Sequence, residues 1–246
     1  MEAAQTEAGG SAAFRTTHWS VVLEAARPGA DGSLEAFARI YEDYWFALYA
    51  YIRRRGYSPP DAADIAQDFF LHLIEKQSLE GMERNGGKFR SFLLGSLNNF
   101  LANAWDRTHA QKRGAGQPLL TLSTGDAEAK YALEPAAAET PETIFERQWV
   151  FTLLAKVLEY LSAECESAGK GKLFQDLRLH LQGERQGPPY AEVAARHGMS
   201  EGAVKVAAHR LCQRYGELLR EEIARTVGNV AEVDDELRHF IAVSSR

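Results

Sequence analysis

Residues Tyr190–Leu211, YAEVAARHGMSEGAVKVAAHRL, read as two short helices pinched together at a glycine. Gly198 follows Arg196 and His197, where a helix stop places a residue of positive φ that glycine adopts at least cost. Ser200 then caps the next helix, and Glu201 stands in its first turn, where the helix dipole favours a negative charge. In that second helix Val204, Ala207, Ala208, Leu211, Tyr215 and Leu218 recur on the inward side. Lys205, His209, Arg210 and Gln213 are left on the outward side. Ala191, Ala194, Ala195, Gly202 and Ala203 are small enough for the two helices to cross closely. The stretch fits a DNA reader whose outer Lys and Arg bond base edges or phosphates, and it also fits a plain corner of a helical bundle. His209 and Cys212 lie one turn apart without further Cys or His at ligand spacing, so no metal site is expected.

The rest of the chain keeps the helical period. Leu34, Phe37, Tyr41, Tyr44, Trp45, Leu48 and Ile52 recur at three and four, ending before Ser58–Pro60. Ser58 can cap the following helix, with proline in its first turn and Asp61 three residues on. Ile65, Phe69 and Leu73 line one side of that helix, joined by Ala66, Phe70 and Ile74. Glycines in ERNGGK then interrupt the pattern. From Phe89 the register Phe92, Leu93, Ser96, Leu97, Phe100, Leu101, Ala104, Trp105 is almost free of error. On that stripe Phe89, Phe92 and Trp105 read as core rather than as base-stacking residues.

No period persists from Gly114 to Pro141, and helical patterning resumes near Thr143. It pauses at ESAGKGK and at QGERQGPP, then runs to about Val227. The expected fold is all-α: two small helical domains joined by a flexible linker, the C-terminal one with a helix-turn-helix. The expected divisions are a disordered 1–13, a first domain at 14–113, a linker at 114–142, a second domain at 143–228 and a tail at 229–246. In the tail Val233, Leu237, Phe240 and Ile241 can form a short helix that packs on the second domain or binds a regulator.

Composition narrows the function. The 246 residues carry a net charge of −6, which argues against indiscriminate nucleic-acid binding. Between Arg84 and Arg113, however, six basic residues (Arg84, Lys88, Arg90, Arg107, Lys112, Arg113) face one acidic residue, Asp106. Between Gly114 and Gln148 the balance reverses, so a binding surface lies next to a solvated connector. Two cysteines build no disulfide framework, the N-terminus lacks an export pattern, and no apolar run approaches the roughly 18 residues that span a bilayer. A cytoplasmic protein without membrane contact is expected. Phosphate-binding glycine loops, metal-ligand spacings and nucleophile–base motifs are all missing. No catalytic residue, cofactor or enzyme activity is therefore expected, and His72 reads as a surface residue. On the helix after Ser58, Asp61, Asp64, Asp68 and Glu75 form an acidic stripe, Asp61 doubling as a capping residue.

Three segments, PPDAADIAQDFFLHLIEK, GKFRSFLLGSLNNFLANAWDRTHAQKR and YAEVAARHGMSEGAVKVAAHRL, resemble the signature segments of bacterial extracytoplasmic-function sigma factors. The order matches, a linker lies in the same place, and the likeness covers about residues 14–228. The resemblance implies that the helix bearing Asp61, Asp64, Gln67 and Asp68 docks on the clamp helices of the largest subunit of core RNA polymerase. It implies that Lys88, Arg90, Asn98, Asn99, Asn103, Arg107, Lys112 and Arg113 open and read the −10 promoter element, beside a base pocket in the loop Glu83 to Lys88. Phosphate contacts and flipped bases held in pockets suit that task. Ser200, Glu201, Lys205, His209, Arg210 and Gln213 would read the −35 duplex, with the second domain on the β flap. A separate anti-sigma factor or other regulator is a further implied partner.

The sequence departs from the family in three places. The basic end of the −10 helix, DRTHAQKRG, is thin; the segment 166–187 is long; and the tail continues past the usual end. The alternative is a stand-alone helix-turn-helix regulator whose first domain senses a signal or dimerises, binding a palindromic duplex without polymerase.

Overall fold

The computed structural model describes residues 19–26, 32–75, 79, 88–108, 124–133, 139–181, 187–227 and 229–244; of these, the side chains of 19, 20, 104–108, 124 and 230 are not described. Regular structure among the described residues is entirely helical. The helices are α1 (Trp19–Ala25), α2 (Ser33–Arg54), α3 (Pro59–Glu75), α4 (Phe89–Thr108), α5 (Thr124–Tyr131), α6 (Pro141–Ser167), α7 (Gly171–Leu181), α8 (Tyr190–His197), α9 (Glu201–Thr226) and α10 (Val233–Ser244), the last preceded by a 3-10 turn at Val230–Glu232. No helix among the described residues is long and apolar enough to cross a membrane.

The helix starts follow local chemistry. Ser58 Oγ accepts the Asp61 backbone N–H at 3.3 Å and donates to the Asp61 carboxylate at 2.6 Å, a reciprocal cap that opens α3. Pro59 and Pro60 sit in that first turn, where a missing N–H costs nothing. Thr140 caps α6 by accepting from Thr143 N–H at 3.2 Å, with Pro141 as the first helical residue. That helix stops at a left-handed Gly169 (φ 70°), and Lys170 N–H closes onto Cys165 C=O at 2.7 Å.

Helix α2 is the centre of the molecule. Six consecutive residues, Ala47 to Ile52, are buried, so its C-terminal half is covered on every side. On one side α3 packs through Phe70, whose ring lies 4.8 Å from Tyr41 and 6.0 Å from Phe37. Helix α4 adds Phe89, Leu93, Leu97 and Leu101 to the same core, as its stripe predicts. Leu34, expected on the apolar face of α2, is 72% exposed because it stands in the first turn, outside the reach of the neighbouring helices.

Helix α6 lies along the other side of α2, bringing Trp149, Val150 and Leu153 into that core, and an ion pair joins Lys156 to the buried Asp43. The end of α9 (Ile223, Val227) and α10 (Val233, Phe240, Val243) complete it, so the main core draws on residues from both sides of the connector. Of the residues expected to form the tail helix, Val233 and Phe240 are buried and Ile241 is 58% exposed. Two smaller cores follow: Val157, Leu161, Cys165, Phe174 and Leu218 between α6, α7 and α9, then Leu177, Val193, Ala194, Val204 and Ala208 between α7, α8 and α9.

Within the expected linker, α5 is helical and packed. Glu128 accepts hydrogen bonds from Tyr49 Oη (2.6 Å), Arg53 Nε (3.0 Å) and Arg53 Nη2 (2.8 Å). The Arg53 and Tyr49 bonds hold the Glu128 carboxyl below its ordinary value. Burial, reinforced by Glu128, pushes the Tyr49 phenol up to about 12. Residues 114–123 and 134–138 of the linker, and 1–13, lie outside the described residues.

Candidate nucleic-acid interface

On α3, Asp61, Asp64 and Asp68 are exposed and Gln67 is half-buried. Partial loss of water raises the Asp68 carboxyl above its ordinary value, and the Asp64 charge one turn earlier adds to that shift. Two like charges thus share an outward surface. Asp61 keeps its second task, because its carboxylate accepts the Ser58 hydroxyl. His72, expected at the surface, is half-buried with its ring 5.2 Å from Phe100, where α3 and α4 meet.

The described residues expected at the −10 element fall into three groups. Asn99 and Asn103 are exposed. Asn98 instead takes part in a polar knot: its Oδ1 receives Tyr51 Oη and Arg55 Nη1, each at 2.7 Å. The Tyr51 hydroxyl also lies 3.2 Å from Glu142 Oε1, so one phenolic proton serves two acceptors. With Tyr57, Leu101 and Ala102 these side chains line a cleft of about 540 Å³. Tyr51 and Arg55 at the end of α2 and Glu142 at the start of α6 carry no signal in the sequence, since only the fold brings these two segments to Asn98.

Lys88 and Arg90 form the third group, and both are paired within the chain. Arg90 is 3% exposed, with its Nε 3.0 and 3.1 Å from the two oxygens of Glu146 and its guanidinium 4.5 Å from the Trp149 ring centre. Glu236 of α10, 2% exposed, pairs with both Arg90 Nη1 (2.5 Å) and Lys88 Nζ. Phe240 stands edge-on to Trp149 at 5.0 Å, and His239 lies 3.3 Å from Glu146. Burial alone would lower the Arg90 guanidinium and raise the Glu236 carboxyl. At Arg90 the charges of Glu146 and Glu236 outweigh burial, and at Glu236 Arg90 and Lys88 do, so Arg90 is held above its ordinary value and Glu236 below its own. The Arg107 side chain, Lys112, Arg113 and 83–87 of the expected base-pocket loop lie outside the described residues, as does the side chain of Trp105.

At the other end, Gly198 adopts φ 61° and α9 begins at Ser200, whose Oγ accepts Ala203 N–H at 3.2 Å. Val204 and Ala208 are buried beneath, while Lys205, His209, Arg210 and Gln213 are exposed. Glu201 pairs with Lys205 at 2.7 Å and raises its pKa, presenting a fixed charge pair at the start of the helix. Asp176 of α7 holds α8 in place through Arg196 (2.6 Å) and His197 (2.8 Å). Ser200→Ala removes this cap and is expected to cost about 1 kcal/mol, read as a lower urea midpoint with unchanged slope.

Comparison of the chain with family models, with curated proteins and with solved structures gives no significant match. Among the described residues, no group of three or more His, Cys, Asp or Glu side chains is placed to hold a metal ion.

Proposed function

We propose that the chain is a promoter-specificity subunit of RNA polymerase, a sigma factor of the extracytoplasmic-function type, acting in the cytoplasm without catalysing a reaction of its own. The observation that carries this reading is the outer face of α9. Lys205, His209, Arg210 and Gln213 stand exposed together over buried Val204 and Ala208, behind a turn fixed by Gly198 and Ser200. A rigid helix start that offers donors and cations to solvent suits the major groove, so α8 and α9 serve as a helix-turn-helix for the −35 element. Asn99 and Asn103, with the basic residues that follow them, serve the −10 element. Asp61, Asp64, Gln67 and Asp68 dock on the clamp helices, and the second domain docks on the β flap. The two promoter elements are read bivalently, so either surface alone binds DNA weakly.

Run-off transcription with purified core enzyme and a genomic promoter library tests the reading. Stimulation supports it. No stimulation, combined with tight polymerase-free binding to a palindromic duplex, would assign the chain to stand-alone regulators instead. The docking surface is tested by Asp64→Ala together with Asp68→Ala. This pair is expected to lower recovery of the chain with core polymerase about tenfold or more, as the loss of a central interface contact does. Because both side chains are exposed, stability should stay within about 0.5 kcal/mol of the parent. Undiminished co-purification would make the stripe ordinary solvated surface.

A further inference from the structure

Two cations expected at the −10 surface are occupied by the chain itself. Helix α10 packs on α6 and α9 and delivers Glu236 to the start of α4, where one carboxylate meets both Lys88 and Arg90. A carboxylate between a lysine and an arginine takes the place that a backbone phosphate oxygen would occupy, since both anions accept charge-assisted hydrogen bonds from the same donors. The acidic stripe of α3 meanwhile stays exposed. We propose that α10 is an autoinhibitory latch: Glu236 stands in for a DNA phosphate on Lys88 and Arg90, closing this part of the −10 surface until α10 leaves. The inference rests on the reading of Lys88 and Arg90 as DNA contacts.

The contact is built to hold and also to open. Phe240 wedges against Trp149, and Val233 and Val243 are buried beside it, so the carboxylate is placed by packing as well as by charge. Beyond those anchors α10 is outward-facing: Asp234 pairs with Arg220, Asp235 with Arg238, and Ile241 is exposed. A twelve-residue helix held by so few anchors can open without global unfolding. The geometry also orders events. The docking face is available in the closed chain, whereas Lys88, and the edge of Arg90 that Glu146 does not hold, become available only afterwards.

The test compares the full-length parent with Glu236→Gln and, in case that variant folds poorly, Phe240→Ala. Two quantities are read: amide hydrogen exchange across 88–92 and 233–244, and affinity for a labelled mixed-sequence single-stranded DNA of about 20 nucleotides at low salt. Both variants should exchange faster in these two segments. They should bind the DNA about 10- to 100-fold tighter, the worth of freeing charge-assisted bonds. The gain should vanish when Lys88→Gln and Arg90→Gln are added, read at a temperature where circular dichroism shows these variants folded, and should shrink with the partly exposed Lys88→Gln alone. Unchanged exchange, faster exchange without tighter binding, or a gain that survives loss of both cations would each overturn the latch. Run-off transcription by the parent separates the two readings. Stimulation there, with no gain in either variant, removes the latch and leaves the sigma reading. No stimulation by the parent or by either variant removes the sigma reading, and the DNA affinities still decide whether Glu236 masks Lys88 and Arg90.

Discussion

Arg90→Ala is expected to lower the stability of the chain by about 3–5 kcal/mol, the cost of removing one partner from a buried ionic group. Arg90 is the cation between Glu146 and Glu236 and also covers the Trp149 ring, so the truncation removes charge and packing together. Lys88 remains near Glu236 but is a flexible, partly exposed cation that cannot also serve Glu146. Arg90→Lys keeps the charge and loses the planar fork, and should recover only part of the difference. Urea unfolding followed by tryptophan fluorescence and circular dichroism reads both variants. A loss below about 1 kcal/mol would mean that the two carboxylates reach water cheaply and the cluster contributes little. The pH dependence carries its own sign. In the parent the Glu236 carboxyl is depressed from 4.5, so its contribution is complete above that value and fades as pH falls through the depressed one. Without Arg90 the carboxyl loses its strongest opposing charge and moves towards the higher value that burial favours, so acid weakens the variant less than the parent. The gap between the two should therefore narrow as pH falls from 7 towards 4.

How much of this was legible beforehand depended on how local each cause is. The caps at Ser58 and Ser200, the stop at Gly198 and the stripe on α4 are set by residues within one or two turns, and each lies where its sequence pattern predicts. Helix α5 escaped detection because eight residues carry too little periodicity. What fixes it is Glu128 meeting Tyr49 and Arg53, 79 and 75 residues away in sequence. The pairing of Arg90 is illegible for the same reason. A basic residue at the start of a polar-faced helix reads as surface, and only the fold brings Glu146 and Glu236 to it, 56 residues away in the case of Glu146. Tyr51 lies off the apolar stripe of α2 and Glu142 precedes the pattern that resumes near Thr143, so neither marks the cleft around Asn98. Buried ion pairs are a property of tertiary structure, and hydrophobic periodicity says nothing about them.

Phe70→Ala is the second change with a large expected effect, and it separates the fold of α3 from the surface that α3 carries. Phe70 is fully buried, with the rings of Tyr41, Phe37 and Phe69 at 4.8, 6.0 and 5.9 Å. Truncating it leaves a cavity between α2 and α3, and such losses cost about 3–5 kcal/mol. Asp64 and Asp68 point away from that cavity and keep their chemistry, so folded molecules should still dock. Recovery with core polymerase should then be near the parent's at low temperature and fall along the variant's own melting curve. The Asp64 and Asp68 double change should show the converse, a full melting temperature with docking lost at every temperature. Phe70→Leu fills more of the space and should fall between the parent and the alanine variant. If Phe70→Ala abolished docking while the chain remained fully folded, α3 would be recognised through its exact backbone position as well as its charge. The carboxylates alone would then be an insufficient account of the surface.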